Sequence, residues 1–143
     1  MTGLDKLFQG MRSSSRGLSA ERVRMDVIAQ NIANANVTST AEGGPYRRQM
    51  VRFEPIVQRA ADGTIQGMAV RAAEVVEDHV TPMESVYDPA NPDADDDGFV
   101  TLPNVSATRE MADLITAMRA YEANLSAQEN FTRIAERALQ LAR

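Results

Sequence analysis

The sharpest chemical pattern in the sequence is an acidic loop, DADDDG, at residues 93–98. Its spacing matches the first half of a calcium-binding loop, in which alternate carboxylates and a following glycine surround the ion. If Asp93 is the first ligand, the twelfth position, which needs a bidentate glutamate, is Asn104. Pro92 and Pro103 also stand where the flanking helices of such a site would run. The pattern therefore favours a solvated acidic turn, and a calcium-responsive helical binding module is an alternative function.

The sequence contains no catalytic constellation of a known kind. His79, the only histidine, lies in the acidic run VEDHV, where a solvated or ion-paired imidazole is the ordinary outcome. The run Ser13–Ser15 lacks the G-x-S-x-G turn of a nucleophilic serine. Because the chain has no cysteine, it offers neither a thiolate nucleophile nor a disulfide. We therefore expect a protein that is not an enzyme and that needs no cofactor and no metal.

One basic cluster, YRRQMVR, places Arg47, Arg48 and Arg52 next to a tyrosine. Such a cluster is most often the solvated face of a strand. Alternatively, it could contact an acidic surface, such as the Asp93–Asp97 loop of a neighbouring subunit. The chain carries 15 Lys and Arg against 20 Asp and Glu and has no basic tract, so nucleic acid is not an expected partner.

Two long terminal helices must position these groups. Near both ends of the chain, apolar residues recur every seventh position, which is the spacing of a seam along a helix. Helices of roughly thirty to forty residues extend about 45 to 60 Å, and the middle of the chain is too small to cover their remaining faces. The sequence thus predicts a mainly α fold in which residues 1–36 and 105–143 pair as a coiled-coil-like unit. The seam residues are Leu4, Met11, Leu18, Met25, Ile28, Ile32, Met111, Leu114, Ile115, Met118, Tyr121 and Leu125.

The middle of the chain, residues 37–104, is predicted to form a small β part and irregular loops. YRRQMVRFEPIV and IQGMAVRAAEVVEDHV are rich in β-tolerant residues and are separated by QRAADGT. Within that connection, Asp62-Gly63 supplies the residues that a tight hairpin turn prefers. We therefore predict a central β-hairpin.

Three asparagines crowd the end of the first helix, in the stretch MDVIAQNIANANVTST. On a helical wheel, Met25, Ile28 and Ile32 cluster on one side, whereas Asn31 and Asn34 lie around the other, so we expect these amides outside the seam. Two interpretations remain open: a polar exposed face, or amides that set the register between neighbouring subunits.

Composition raises the expectation of a partner. The chain has no Trp, four Phe and three Tyr, so an isolated monomer should be marginally stable. The first twenty residues contain no apolar run of a cleaved secretory signal, and no stretch approaches membrane-spanning length. We expect self-association, no cleaved signal peptide and no direct membrane insertion.

Four separated motifs resemble the bacterial flagellar rod and hook proteins. AQNIANANVT resembles their N-terminal signature, and EMADLITAMRAYEANLSAQENFTRIAERALQL resembles their C-terminal helix. GGPYRRQMVRFEP and VYDPANPDADDDGFVTLPNV are similar to the proximal-rod members and not to the distal-rod or hook members. Two departures, Asn91 where a histidine is expected and Phe99 where a tyrosine is expected, leave open only whether that loop makes the same lateral contacts.

The resemblance implies a structural subunit of the flagellar proximal rod, in the periplasmic part of the basal body, that transmits torque to the distal rod and hook. It implies terminal helices that stack with those of neighbours as the inner tube of the rod and that order on assembly. The implied partners are copies of itself, other proximal- and distal-rod proteins, the base adaptor and the flagellar type III export apparatus. Besides the seam residues, it implies polar register contacts at Asn31, Asn34, Arg119 and Asn124. A sibling proximal-rod protein and a stand-alone helical-bundle adaptor are further alternatives.

Overall fold

The computed structural model describes residues 3–59, 63 and 65–141, with the backbone alone described for residues 3–7, 58, 66–68 and 73. Long helices lie at both ends of the described chain, and four strands lie between them, which confirms the predicted mainly α fold with a small β part. In chain order the elements are α1 (Gly3–Ala33), β1 (Gln49–Arg59), β2 (Ile65–Glu77), β3 (Ser85–Tyr87), β4 (Phe99–Thr101) and α2 (Ala107–Leu141). The division of the chain into a helical unit and a central unit stays a prediction.

Helix α1 ends in the asparagine-rich turn. Asn34 donates both its backbone N–H and its side-chain Nδ2–H to the carbonyl oxygen of Gln30, at 3.0 and 2.8 Å. The next bond, from the backbone N–H of Val37 to the Asn34 carbonyl oxygen at 3.1 Å, turns the chain away from the helix axis. Asn34 therefore supplies both donors for the carbonyl oxygen of Gln30 in the last turn of the helix.

The two helices pack antiparallel with closely approaching backbones. Gly10 lies against the ring of Phe131, Gly17 against the amide of Asn124, and Asn31 against Glu110. The three pairs are spaced by the same seven and then fourteen residues on each helix, so the register is constant over this length. The residues of α1 and α2 that face each other lie one position before the predicted seam residues. The reason is that glycine lets the helices approach closely, whereas Met11 or Leu18 would hold them apart.

Adding a methyl group at Gly10 tests this close approach. An alanine Cβ there would overlap Cζ and lie 2.8 Å from Cε1 of Phe131. Alanine favours a helix by about 1 kcal/mol over glycine, but displacing a packed ring costs about 1–3 kcal/mol. We expect Gly10→Ala to lower the free energy of unfolding by about 1 kcal/mol in urea titrations. The loss should disappear when Phe131 is leucine, and a Gly10→Ala protein more stable than the parent would contradict the contact.

Strands β1 and β2 form the predicted hairpin, paired antiparallel from Gln49 opposite Glu77 to Arg59 opposite Ile65. A bulge lies between Arg52 and Phe53. Of the predicted turn, Asp62 is outside the described residues, and Gly63 has a φ of +82°, a conformation that glycine adopts without strain. The hairpin packs on α1, where Ala20 and Ala69 are both buried.

The acidic loop connects β3 and β4, a second small antiparallel pair in which Tyr87 is opposite Phe99. Asp95 Oδ1 accepts hydrogen bonds from the backbone N–H groups of Asp97 and Phe99, at 3.1 and 2.7 Å. Asp93 Oδ2 accepts the hydroxyl of Thr38 at 2.6 Å. These bonds are those of an acidic turn that is stabilised by its own backbone and by one contact from Thr38. Within the described ranges, no group of three or more His, Cys, Asp or Glu is placed to hold a metal ion.

Neither of the long helices qualifies as a candidate membrane span over the part of the chain that the structure describes.

Candidate functional site

A buried ion pair joins the start of the hairpin to the first turn of α2. The side chain of Glu110 is fully enclosed, with the residue 0% exposed, and its Oε1 accepts Nε–H of Arg48 at 2.7 Å. Its Oε2 accepts Nδ2–H of Asn31 at 2.9 Å. Burial of a carboxylate is costly unless the charge is paired and hydrogen-bonded, and both oxygens of Glu110 meet this condition. Glu110 also lies in the first turn of α2, where a carboxylate suits the positive end of the helix dipole.

Asn31 is 1% exposed and uses its whole amide within the chain. Besides the bond to Glu110, its Nδ2 donates to the carbonyl oxygen of Gln49 at 2.8 Å. Its Oδ1 accepts the Gln49 backbone N–H at 2.9 Å and the Tyr46 hydroxyl at 3.0 Å. The amide thus bonds to both backbone polar groups of Gln49, as a neighbouring strand would. All of its donors and acceptors are used. Burial and then the nearby charge of Glu110 raise the pKa of Tyr46 above its ordinary value.

The interpretation of Asn31 as part of a polar exposed face is wrong, because the residue is 1% exposed. The helical wheel located it correctly relative to Met25, Ile28 and Ile32. However, the start of β1 and the first turn of α2 cover the side of α1 on which Asn31 lies. A wheel describes one helix and carries no information about which other segments pack on it.

Asn104 ties the base of the hairpin to the segment before α2. Its Oδ1 accepts the backbone N–H of Arg48 at 2.8 Å, and its Nδ2 donates to the carbonyl oxygens of Asp78 and Thr81 at 2.9 and 3.0 Å. The Asp78 backbone N–H in turn donates to the Arg48 carbonyl oxygen at 2.8 Å. We name the connected set Asn31, Arg48, Asp78, Asn104 and Glu110 the polar junction. It joins both helices and both strands of the hairpin.

The Asp78 carboxylate is held in its charged form. The backbone N–H and the hydroxyl of Thr81, together with the Val80 N–H and the charge of Arg48, lower its pKa from 3.8 to about 2, against the opposing effect of burial. The bonds from Thr81 are 3.0 Å for the N–H and 2.7 Å for the hydroxyl. These contacts exist only in the folded chain, so they link folding to the protonation of this group.

The stability contribution of Asp78 should therefore depend on pH. Because its pKa is depressed on folding, the contribution is present above about pH 4 and is lost as the pH falls towards about 2. We expect Asp78→Asn to be less stable than the parent at pH 7, with the difference narrowing between about pH 4 and 2. Urea unfolding of both proteins across this range measures the difference. A gap that stays constant with pH would contradict the assignment.

The other arginines of the basic cluster form ion pairs that solvent reaches. Arg52 pairs with Glu74 across the two strands at 3.5 Å, and Arg47, which precedes β1, pairs with Glu77 at 3.9 Å. Arg48 points to the side opposite its neighbour Arg47, as the alternation along an extended chain requires. The cluster thus divides into solvated ion pairs and one inward-facing member of the polar junction.

A second feature is a row of exposed apolar side chains on one face of α2. We name these residues, Met111, Ile115, Met118 and Leu125, the α2 stripe. They are 54%, 53%, 47% and 40% exposed, respectively. Their spacing of four, three and seven residues keeps them on one side of the helix. The face of α2 that packs within the chain is a different one, formed by Glu110, Ala117, Asn124 and Phe131.

The remaining predicted interface residues lie at varied depths. Arg119 is exposed; Ile28 is 5% exposed and belongs to the core of the chain. Asn124 donates to the carbonyl oxygen of Ala120 on its own helix at 3.0 Å. The side chain of Leu4 lies outside the described residues. The half-buried members are Met11, Leu18, Met25, Ile32, Asn34, Leu114, Tyr121 and Asn124.

Both helical segments match known flagellar families. A family model described as flagella basal body rod protein matches residues 11–39, and the flagellar basal body rod FlgEFG protein C-terminal model matches residues 96–141. The flagellar basal-body rod protein FlgC of Bacillus subtilis is 35% identical over 95% of this chain and 98% of its own length. The chain belongs to the FlgC family. FlgC proteins of Borreliella burgdorferi, at 44% identity over 82% of this chain and 86% of theirs, and of Aquifex aeolicus, at 36% over 94% and 96%, are also similar.

The chain is a structural subunit of the flagellar proximal rod and is located in the flagellar basal body. The family membership also implies assembly with other rod proteins. The matched segment 11–39 carries Asn31, and the segment 96–141 carries Asn104, Glu110 and the α2 stripe. Three of the five residues of the polar junction and the whole α2 stripe therefore lie within the two segments that the family models match.

Sequence reasoning missed most of the polar junction. Arg48 was assigned to a surface cluster, and Asn104 was considered only as an unsuitable calcium ligand. The one usable signal was alternation, since Arg47 and Arg48 cannot face the same side of an extended segment. No local signal connects Asn31 with Glu110, which are 79 residues apart.

Proposed function

We propose that this FlgC-family chain builds the rod by burying its α2 stripe against the terminal helices of neighbouring subunits. The observation that supports the proposal is that four large apolar side chains stay exposed on one helix face. Fully burying a side chain of this size stabilises by about 1.5–3 kcal/mol. Covering four half-exposed ones would therefore contribute about 3–6 kcal/mol.

The flanking residues have distinct roles in this proposal. Met11, Leu18, Met25 and Ile32 lie half-buried beside the face of α1 that packs on α2, so a neighbouring helix can complete their burial. The polar partners next to the contact are Arg119, Asn34 and Asn124. Asn31 is left out of the contact because its amide is used within the chain, and Ile28 contributes through the core of its own subunit. Leu4, Leu114 and Tyr121 complete the proposed interface.

The mechanism that follows is mechanical. A tube of interlocked helices resists twisting because every subunit shares many buried contacts with its neighbours. Torque from the motor would pass along such a tube to the distal rod and hook without any chemical step. The partners in this proposal are copies of the chain, other proximal- and distal-rod proteins and the base adaptor, after delivery by the flagellar type III export apparatus.

Hydrogen exchange on the free chain and on isolated basal bodies tests the proposal. We expect backbone amides of residues 111–141 and of the first half of α1 to exchange faster in the free chain and to become protected in the rod, because assembly covers these segments. The β1–β2 hairpin is the internal control and should change less. Equal protection of α2 in the free chain and in the basal body would contradict assembly through this helix.

A further inference from the structure

The polar junction connects both flanks of the hairpin to the two helices. Asn31 comes from the last turns of α1, Glu110 from the first turn of α2, and Arg48 and Asp78 from the two residues that flank the hairpin. Asn104 comes from the segment that leads into α2 and bonds to both flanking residues. One connected set of hydrogen bonds therefore links both flanks of the hairpin to α1 and α2. The direction of the hairpin is determined by its position relative to these two helices.

We propose that the polar junction is a joint that fixes the angle of the β1–β2 hairpin relative to the helical pair, with Arg48 as its positioning residue. This inference goes beyond rod building through the α2 stripe, and it does not depend on which neighbour covers that stripe. In a subunit with this joint, the hairpin turns together with the helices as one rigid piece.

Arg48 is suited to this role because it is held at both its backbone and its side chain. Its N–H donates to Asn104 and its carbonyl oxygen accepts from Asp78, which aligns the two flanks of the hairpin. Its guanidinium group lies 2.7 Å from Glu110, 3.6 Å from Asp78 and 3.7 Å from Asp113. A planar fork with several donors can contact these carboxylates together, whereas a lysine ammonium is a single point.

The rest of the hairpin has weaker means of fixing its direction. Beyond its base, where Val27 and Ile28 line a cavity with β1, the buried side chains between the hairpin and α1 include the small Ala20 and Ala69. The exposed pairs Arg52–Glu74 and Glu54–Arg71 connect strand to strand and not strand to helix. Strand β1 has 11 residues and thus a length of about 36 Å. A change of 10° at the base would move its far end by about 6 Å.

Spin-label distances measure the angle directly. The chain has no cysteine, so paired cysteines can be placed at exposed sites. Ala29→Cys with Val57→Cys reports hairpin against helix, and Ala29→Cys with Ala112→Cys reports helix against helix. We expect narrow distributions for both pairs in the parent. In Arg48→Met the first distribution should broaden or shift by about 5 Å or more, while the second stays as in the parent.

Two further variants make the test specific. Arg48→Lys keeps the charge but loses the planar guanidinium group. It should broaden the hairpin-to-helix distance distribution less than Arg48→Met does. Asn104→Ala removes bonds of the hairpin base without leaving a buried charge unpaired, so it gives a result even if Arg48→Met does not fold. Arg52→Met, which removes an exposed pair of the same hairpin, is the matched control and should change neither distance.

Three results would overturn the inference. One is a hairpin distance that stays as narrow in Arg48→Met and Asn104→Ala as in the parent. Another is equal broadening of both distances, which would mean that the junction contributes only general stability. The third is loss of the helical circular dichroism signal in both variants, because the junction would then be part of the folding core and not a joint.

Discussion

Replacing Glu110 with alanine is expected to lower the free energy of unfolding by about 3 kcal/mol. The substitution leaves the buried amide of Asn31 without one acceptor and removes the shortest ion pair of Arg48, at 2.7 Å. Removal of one partner of a buried pair is costly because the remaining charge stays away from water. The measurement is urea unfolding followed by circular dichroism, with the slope of the transition compared between variant and parent.

Asp113 provides the matched control for Glu110. It lies near the same guanidinium group, but at 3.7 Å and with its side chain 39% exposed. Exposed ion pairs contribute little, so Asp113→Ala should cost less than about 1 kcal/mol. Glu110→Gln keeps the shape of the side chain but brings an amide N–H₂ group towards two donors. It should lower the free energy of unfolding by an amount between the losses for Asp113→Ala and Glu110→Ala. Equal losses in the free energy of unfolding for Glu110→Ala and Asp113→Ala would show that burial does not increase the contribution of Glu110 to stability.

Replacing Ile115 with glutamate is expected to abolish incorporation into the rod, and motility with it, while the free chain stays folded. A carboxylate in the middle of the α2 stripe would have to lose its water against an apolar neighbour surface, which is strongly unfavourable. In the free subunit the same side chain is 53% exposed, so its stability should change by only about 0.5 kcal/mol. The measurements are swimming of a strain that lacks its own FlgC and carries the variant, and electron microscopy of its basal bodies.

Ile134 on the same helix provides the control for Ile115. It is 54% exposed, and at about 100° per residue it lies at least about 100° around α2 from every residue of the stripe. Ile134→Glu should therefore assemble and support swimming. If it blocks assembly as completely as Ile115→Glu, the contact is not confined to the stripe. If Ile115→Glu assembles normally, the stripe is not the interface.

Much of the fold could be predicted from local sequence patterns. The heptad spacing at the two ends indicated helices, and the turn residues between two β-tolerant segments indicated the hairpin, both of which the structure contains. These predictions succeed because helix and strand periodicity is a property of neighbouring residues. Four motifs in order also indicated the flagellar rod family, which the comparisons confirm.

The choice of the packed face could not be predicted in the same way. Met111, Ile115 and Met118 have the spacing of a seam, yet within the chain α2 packs through Glu110 and Ala117. Apolar periodicity shows that a face avoids water, but it does not show whether the same chain or a neighbour covers it. The sequence also could not show that Gly10 and Gly17 lie on the face of α1 that packs on α2. Their effect depends on the close approach of the second helix.

By itself, the sequence determined the elements, their order and the family, because these depend on local periodicity and on motifs that can be read along the chain. Only the tertiary structure decided that Asn31, Arg48 and Glu110 meet, and that the α2 stripe points outward. The reason is physical: a buried charge or amide finds its partner through packing between segments distant in sequence, and each pairing depends on the shapes of all the elements around it.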